Sequence, residues 1–142
     1  MMAHLNAMKA LIESERGFTV YIISVPKPNS IRYPYVLISP GYGRPGERPL
    51  NERLDSIDHD LQVRSVGTSP ASALGLLGAV REVLSPGRGP RRLVVPDRKA
   101  TVKFLRHEMT DQDRDVRVTA TGQHPIFGVD AFHLLSTPQR AG

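Results

Sequence analysis

The chain has 142 residues, with 19 Lys+Arg against 14 Asp+Glu, a formal charge of +5, and neither Cys nor Trp. That length fits one domain with one core, and the lack of Cys excludes a disulfide scaffold, a zinc ribbon, an iron–sulfur site and a Cys nucleophile. No apolar run nears the ~20 residues that span a bilayer, and MMAHLNAMKALIESERG lacks the layout of a signal peptide, so a soluble protein made in the cytosol is expected.

Met1–Glu15 predicts a helix, because Leu5, Met8, Leu11 and Ile12 recur at helical spacing and Gly17 stands where a left-handed cap belongs. Thr19–Val25 is rich in β-branched and aromatic residues and predicts a strand, ended by Pro26 and Pro28. Tyr35–Ser39 predicts a second, between Pro34 and Pro40. Both are apolar on both faces, which predicts central strands covered on each side. Gly41–Arg53 is a long polar loop, read either as a spacer or as an arm docking on a neighbouring subunit. Tyr42, Arg44, Arg48, Leu50 and Arg53 would form that arm.

Ile57–Gly67 alternates. Leu61 and Val63 share one face, and Asp58, Asp60, Gln62 and Arg64 share the other, so one side is buried and the other is wet or meets a polar partner. Ser69–Leu84 predicts the clearest helix, with Ser69 as N-cap and Pro70 in the first turn. Leu74, Leu77, Val80 and Leu84 form its expected core stripe, with Leu76 and Val83 beside it. Gly75 and Gly78 suggest close approach to a sheet or a neighbouring chain. Residues 85–100 read as a basic loop, broken by Pro86, Gly87, Gly89 and Pro90, with a short strand at Leu93–Val95. Thr101–Met109 and Val116–Ala120 suggest a strand pair around an acidic turn, Thr110–Asp115. Ile126–Leu135 is the last strand, and 137–142 a polar tail. The order implies a single α+β domain: a mostly antiparallel or mixed sheet of five or six strands, packed by two helices, with long loops.

Charge is concentrated. From Ser85 to Arg106 stand Arg88, Arg91, Arg92, Arg98, Lys99, Lys103 and Arg106 against Asp97 alone, so the rest of the chain sums to −1. Such a segment contacts phosphate, pairs with an acidic protein surface, or lies solvated. Catalysis would need titratable groups that converge. His124, Asp130 and His133 come nearest to a metal pattern, but Asp130 and His133 would point to opposite faces of one strand. Asp58-His59-Asp60 puts two carboxylates on one face of a half-exposed strand. Gly41-Tyr42-Gly43 lacks the third glycine and the helix of a dinucleotide site. No catalytic, metal or cofactor residue is expected.

An ordered set of segments covers most of the chain. Pro34–Ile38 is a Pro-Tyr-Val-Leu-Ile strand. Asp60–Ser69 (DLQVRSVGTS) opens directly into a helix carrying Ala73–Leu84, and Gly128–Leu134 (GVDAFHL) closes the series, preceded by the aromatic Phe127. This layout resembles the tail terminator proteins of long-tailed bacteriophages. Gly41–Arg53 is more Pro-rich, and Ser85–Arg106 more basic, than that family leads one to expect. The resemblance implies a non-enzymatic virion protein at the head–tail junction, made in the host cytoplasm. It implies a homohexameric ring that caps the tail tube, stops its polymerisation and presents the head-joining surface. Its partners would be other copies of itself, the major tube protein and head-completion or connector proteins, with no membrane. DNA would pass through the lumen without sequence-specific binding. Asp58, Asp60, Gln62 and Arg64 would then form a subunit- or tube-facing surface, and Arg88, Arg91, Arg92, Arg98 and Lys99 would face a partner or the lumen. Another neck protein, and a small basic nucleic-acid-binding module, stand as alternatives.

Overall fold

A computed structural model describes residues 2–24, 33–40, 56–114 and 124–138. Among these residues, two α-helices lie over one six-stranded mixed sheet, an α+β fold as expected. The helices are α1 (Met2–Arg16) and α2 (Pro70–Leu84). The strands are β1 (Thr19–Ile22), β2 (Tyr35–Pro40), β3 (Ile57–Gly67), β4 (Arg91–Leu93), β5 (Arg98–Gln112) and β6 (Ile126–Pro138), in the spatial order β1-β2-β3-β6-β5-β4. Among the described strands, only β1 and β2 run parallel. Among the described residues, no helix is long and apolar enough to cross a membrane.

α2 begins where its sequence says it should. Ser69 accepts a hydrogen bond from the Ser72 backbone N–H, and Pro70 fills the first turn, where no donor is needed. The chain turns from β3 into α2 so tightly that a Cβ on Gly67 would lie 2.6 Å from the Ala73 nitrogen, so only glycine fits there. α2 buries Ala73, Leu76, Leu77, Val80, Val83 and Leu84. Of these, Leu76, Val80, Val83 and Leu84 pack with Leu5, Met8 and Ile12 of α1 onto Val36 and Ile38 of β2, Leu61 and Val63 of β3, Val102 of β5, and Phe132 and Leu134 of β6. This is the main core, on what we call the helix face.

Register places every strand residue on a face, because directly paired residues share one. Val63 pairs with Asp130 and Leu61 with Phe132 on the helix face; Gln62 pairs with Ala131 and Asp60 with His133 on the open face. One end of the open face is aromatic. Tyr35, Val66, Phe127 and Val129 are buried there, with Tyr21, Tyr33 and Leu37 beside them. The Tyr35 ring meets Tyr21 and Tyr33 edge-on, at 5.5 and 5.4 Å between centroids. Burial, with Tyr33 adding to it, pushes the Tyr35 phenol up to about 12.

Several expectations are corrected. β1 is a terminal strand of the sheet, not a central one, while β2 is buried from both faces. Leu74 is 51% exposed and Ala73 takes its place in the core stripe. A Cβ at Gly75 or Gly78 would meet nothing within 4 Å, so neither mediates close packing within the chain. Residues 85–100 are not one loop, since a single 3-10 turn (Pro86–Arg88), β4 and the start of β5 fall inside them. The short strand lies at Arg91–Leu93, and Val94 projects into solvent. β5 runs through Thr110–Gln112 and pairs with β6, so no turn begins at Thr110. Val116–Ala120 lies outside the described residues.

Candidate interaction surface

The charged end of the open face is built by β3, β6, β5 and β4. Asp58, Asp60, Gln62 and Arg64 project from β3 on one side, as their alternation predicts, while His59, Leu61 and Val63 are buried on the other. His133 of β6 stands between the two aspartates. Its Nε2 lies 2.7 Å from Asp58 Oδ1 and its Nδ1 2.8 Å from Asp60 Oδ1. The imidazole donates to both carboxylates only when both nitrogens carry hydrogen. Because the carboxylates hold different nitrogens, the three groups do not converge on one point, as a shared metal ion would require. Gln62 donates to Glu108 of β5 at 3.2 Å, and the Arg64 guanidinium stacks on Phe127, 4.1 Å from its centroid.

The basic segment divides by face. Arg92 pairs with Thr101 and is exposed on the open face, with the exposed Lys99 and Lys103 two positions to either side of Thr101 on β5. Arg92, Lys99, Thr101, Leu135 and Thr137 line a shallow hollow there. Arg88 is exposed in the 3-10 turn. Arg91 points the other way. It donates to the Val83 carbonyl at 2.8 Å and to Glu15 at 3.1 Å, tying α2 to α1. Arg98 donates from Nε to Ser136 Oγ at 2.6 Å and from Nη2 to the Ser136 carbonyl at 3.2 Å. Arg91 and Arg98 therefore hold the fold together.

Ser136 is buried and also meets His4 Nε2 at 2.7 Å. His4 is 2% exposed, and among the described residues its Nδ1 has no hydrogen-bond partner. Burial, reinforced by the positive charge of Arg98, lowers the His4 pKa from its ordinary value.

A second carboxylate cluster sits on the helix face. Asp130 is fully buried and accepts from Arg81 Nε and Nη2, both at 2.9 Å, and from His107 at 2.8 Å. The carboxylate can only accept, so His107 Nδ1 carries the hydrogen of that bond, and Nε2 lies 2.9 Å from the Thr110 hydroxyl. Gly128 pairs with Thr110, and a Cβ there would crowd the Leu77 side chain at 3.1 Å. Arg81 also lies over Phe104, 4.4 Å from its centroid. The arrangement locks α2 to β5 and β6.

Of the residues singled out in the sequence, Asp58, Asp60, Gln62, Arg64, Arg92 and Lys99 share the open face. Tyr42, Arg44, Arg48, Leu50 and Arg53 lie outside the described residues. His124 lines a hollow with Thr68, Ser69, Pro70, Gln112 and Ile126. Asp130 and His133 face opposite ways, as their spacing predicts. Nothing in the sequence points to His133 as partner of the aspartates, nor to Arg81 and His107 as partners of Asp130. Those pairings depend on strand register and on a helix docking over β6. Comparison with protein-family models and with curated proteins finds no match to this chain.

Proposed function

We propose that this protein is a ring-forming structural subunit of the tail terminator type, which caps a phage tail tube, stops its growth and offers the head-joining surface. What supports the reading is where the segments of resemblance fall. Residues 35–38, 60–67, 73–84 and 128–134 of those segments belong to β2, β3, α2 and β6, which are three adjacent strands and the helix packed on them. A ring subunit needs surfaces that meet different neighbours. Asp58, Asp60, Gln62 and Arg64 on the open face, with Arg88, Arg92 and Lys99, are the residues we assign to such contacts. The segment carrying Tyr42, Arg44, Arg48, Leu50 and Arg53 joins them on sequence alone. The same scaffold would serve another neck protein, and that reading predicts binding to the head connector but not to the tube.

The test is solution mass by light scattering at low and high salt, with negative-stain images, repeated with cognate tube subunits. The reading expects a six-fold ring with an open centre and tubes that stop growing once capped. Tubes that grow unchecked and carry no added ring would overturn it. The cations around the hollow beside Arg92 and Lys99 favour a second reading, a nucleic-acid-binding module. That reading expects DNA affinity that collapses as salt rises, in the manner of counterion release.

A further inference from the structure

The charged end of the open face carries opposite charge on the two sides of β6. Strand register lays out two rows across it. Arg92, Thr101, Leu135 and Asp58 stand side by side on β4, β5, β6 and β3, and in the next row Lys103 and Asp60 flank His133. Each row therefore begins with a cation and ends with a carboxylate. Lys99, paired with Thr137, adds a third cation on the β5 side. Arg92, Lys99 and Lys103 are exposed, and Asp58 keeps 71% of its side chain in water although His133 touches it. The hollow beside Arg92 and Lys99 has no carboxylate in its lining. Between the charged ends of the first row, Leu135 is 45% exposed.

A phosphate backbone would satisfy the cations but lie beside Asp58 and Asp60. Asp60 is two strand spacings from Lys103, about 10 Å, which is the reach of a charge at ordinary salt. An acidic protein surface would meet the same repulsion. A surface that sets carboxylates against the cations and cations against the carboxylates, in the same two rows, is this face itself turned over. Half a turn about an axis along β6 sets Lys103 of each copy over Asp60 of the other, and Leu135 against Leu135. It brings Arg92 within one strand spacing of Asp58, about 4.8 Å, which an Arg side chain spans.

We infer that the charged end of the open face pairs with that of a second copy in a two-fold dimer, with Arg92 and Lys103 of each meeting Asp58 and Asp60 of the other. A two-fold contact joins one patch to itself, and here the alternation of charge sets its register. The dimer does not depend on the ring reading. It covers residues that the ring reading gives to other neighbours, so one association must open before the other forms.

Charge exchange tests the pairing. Arg92→Glu with Lys103→Glu makes both ends of the rows acidic, and Asp58→Lys with Asp60→Lys makes both ends basic. Sedimentation equilibrium should show the wild-type chain passing between monomer and dimer, and each double variant weakened about tenfold or more. An equimolar mixture of the two variants should recover the dimer, because opposite charges then meet at both ends. The chain has no Cys, so single-Cys variants report the geometry without reversing any charge pair. Leu135→Cys alone should cross-link to a dimer with a short bismaleimide, whereas Asp58→Cys should cross-link only when mixed with Arg92→Cys. A wild-type chain that stays monomeric up to about 1 mM would overturn the contact. So would folded double variants that dimerise as well as wild type, or Leu135→Cys that fails to cross-link. Rings formed on tube subunits would in each of those cases leave the ring reading standing. A dimer that obeys the charge exchange but never gives rings with tube subunits would keep this contact and overturn the ring reading.

Discussion

Asp130 and His133 stand three residues apart on β6 and face opposite sides of the sheet. On the helix face, Asp130 is buried and takes three charge-assisted or imidazole hydrogen bonds from α2 and β5. On the open face, Asp58 and Asp60 meet His133 with 71% and 27% of their side chains exposed. The chemistry is nearly the same, an aspartate with a histidine, but the surroundings differ. In water the attraction is offset by lost hydration and side-chain freedom, and such pairs contribute little. Under α2 the carboxylate has no water to return to, so losing a partner leaves a buried group unsatisfied. The carboxylate cluster on the helix face therefore holds the fold, while the one at the charged end of the open face adds little to it.

That contrast can be broken most directly at Asp130. Asp130→Ala strands Arg81 and His107 and should cost about 3 kcal/mol, the lower end for breaking a buried pair, since Arg81 keeps some water. Urea denaturation reads this, and a loss under ~1 kcal/mol would show that the buried cluster is not structural. The neighbouring arginines give the next largest effect. Arg91→Glu loses the bonds to Val83 and Glu15 and sets two carboxylates together, so about 1–2 kcal/mol should disappear. Arg92→Glu, on the open face, should stay within ~0.5 kcal/mol. Equal effects in the two would erase the distinction between the faces.

His4 sharpens the comparison through pH. Its folded pKa is lowered below the unfolded value of 6.5, so its contribution is fully present above that pH and lost as the pH falls. Charging it would place a donor on Nδ1, where no described acceptor stands. The melting temperature should therefore fall between pH 7 and pH 5, and His4→Gln should flatten that slope. An unchanged slope would remove His4 from the account. The smallest effect is expected on the open face, where Asp60→Asn should change stability by less than ~0.5 kcal/mol. A loss like that of Asp130→Ala would mean the open face also carries the fold.

Much of this architecture is legible in the sequence, for reasons that differ by element. β3 shows itself because one face is buried and the other wet, so its alternation is a direct record of burial. α2 shows itself because Ser69 and Pro70 do local jobs that no tertiary contact overrides. Its rotation is less legible. Leu74 weighs more than Ala73 in any reading of apolar spacing, yet docking places the small residue against the sheet and the large one in water. β5 is read short because Thr110, Asp111 and Gln112 have turn-like chemistry. Pairing with β6 outweighs that preference, as is common for strands. The two bulges also shift the facing residues, so that His107 meets Asp130 only once the register is known.

The order of strands has a consequence for how the molecule is made. β6 lies between β3 and β5, at the middle of the sheet, although it is the last described strand to leave the ribosome. Until it arrives, β3 and β5 cannot be joined, and α2 has no β6 to cover. Strand pairings across such long separations form slowly, because loop closure precedes the contacts that reward it. Folding is thereby tied to the completion of synthesis through β6. A nascent chain that stopped before β6 would lack the centre of the sheet.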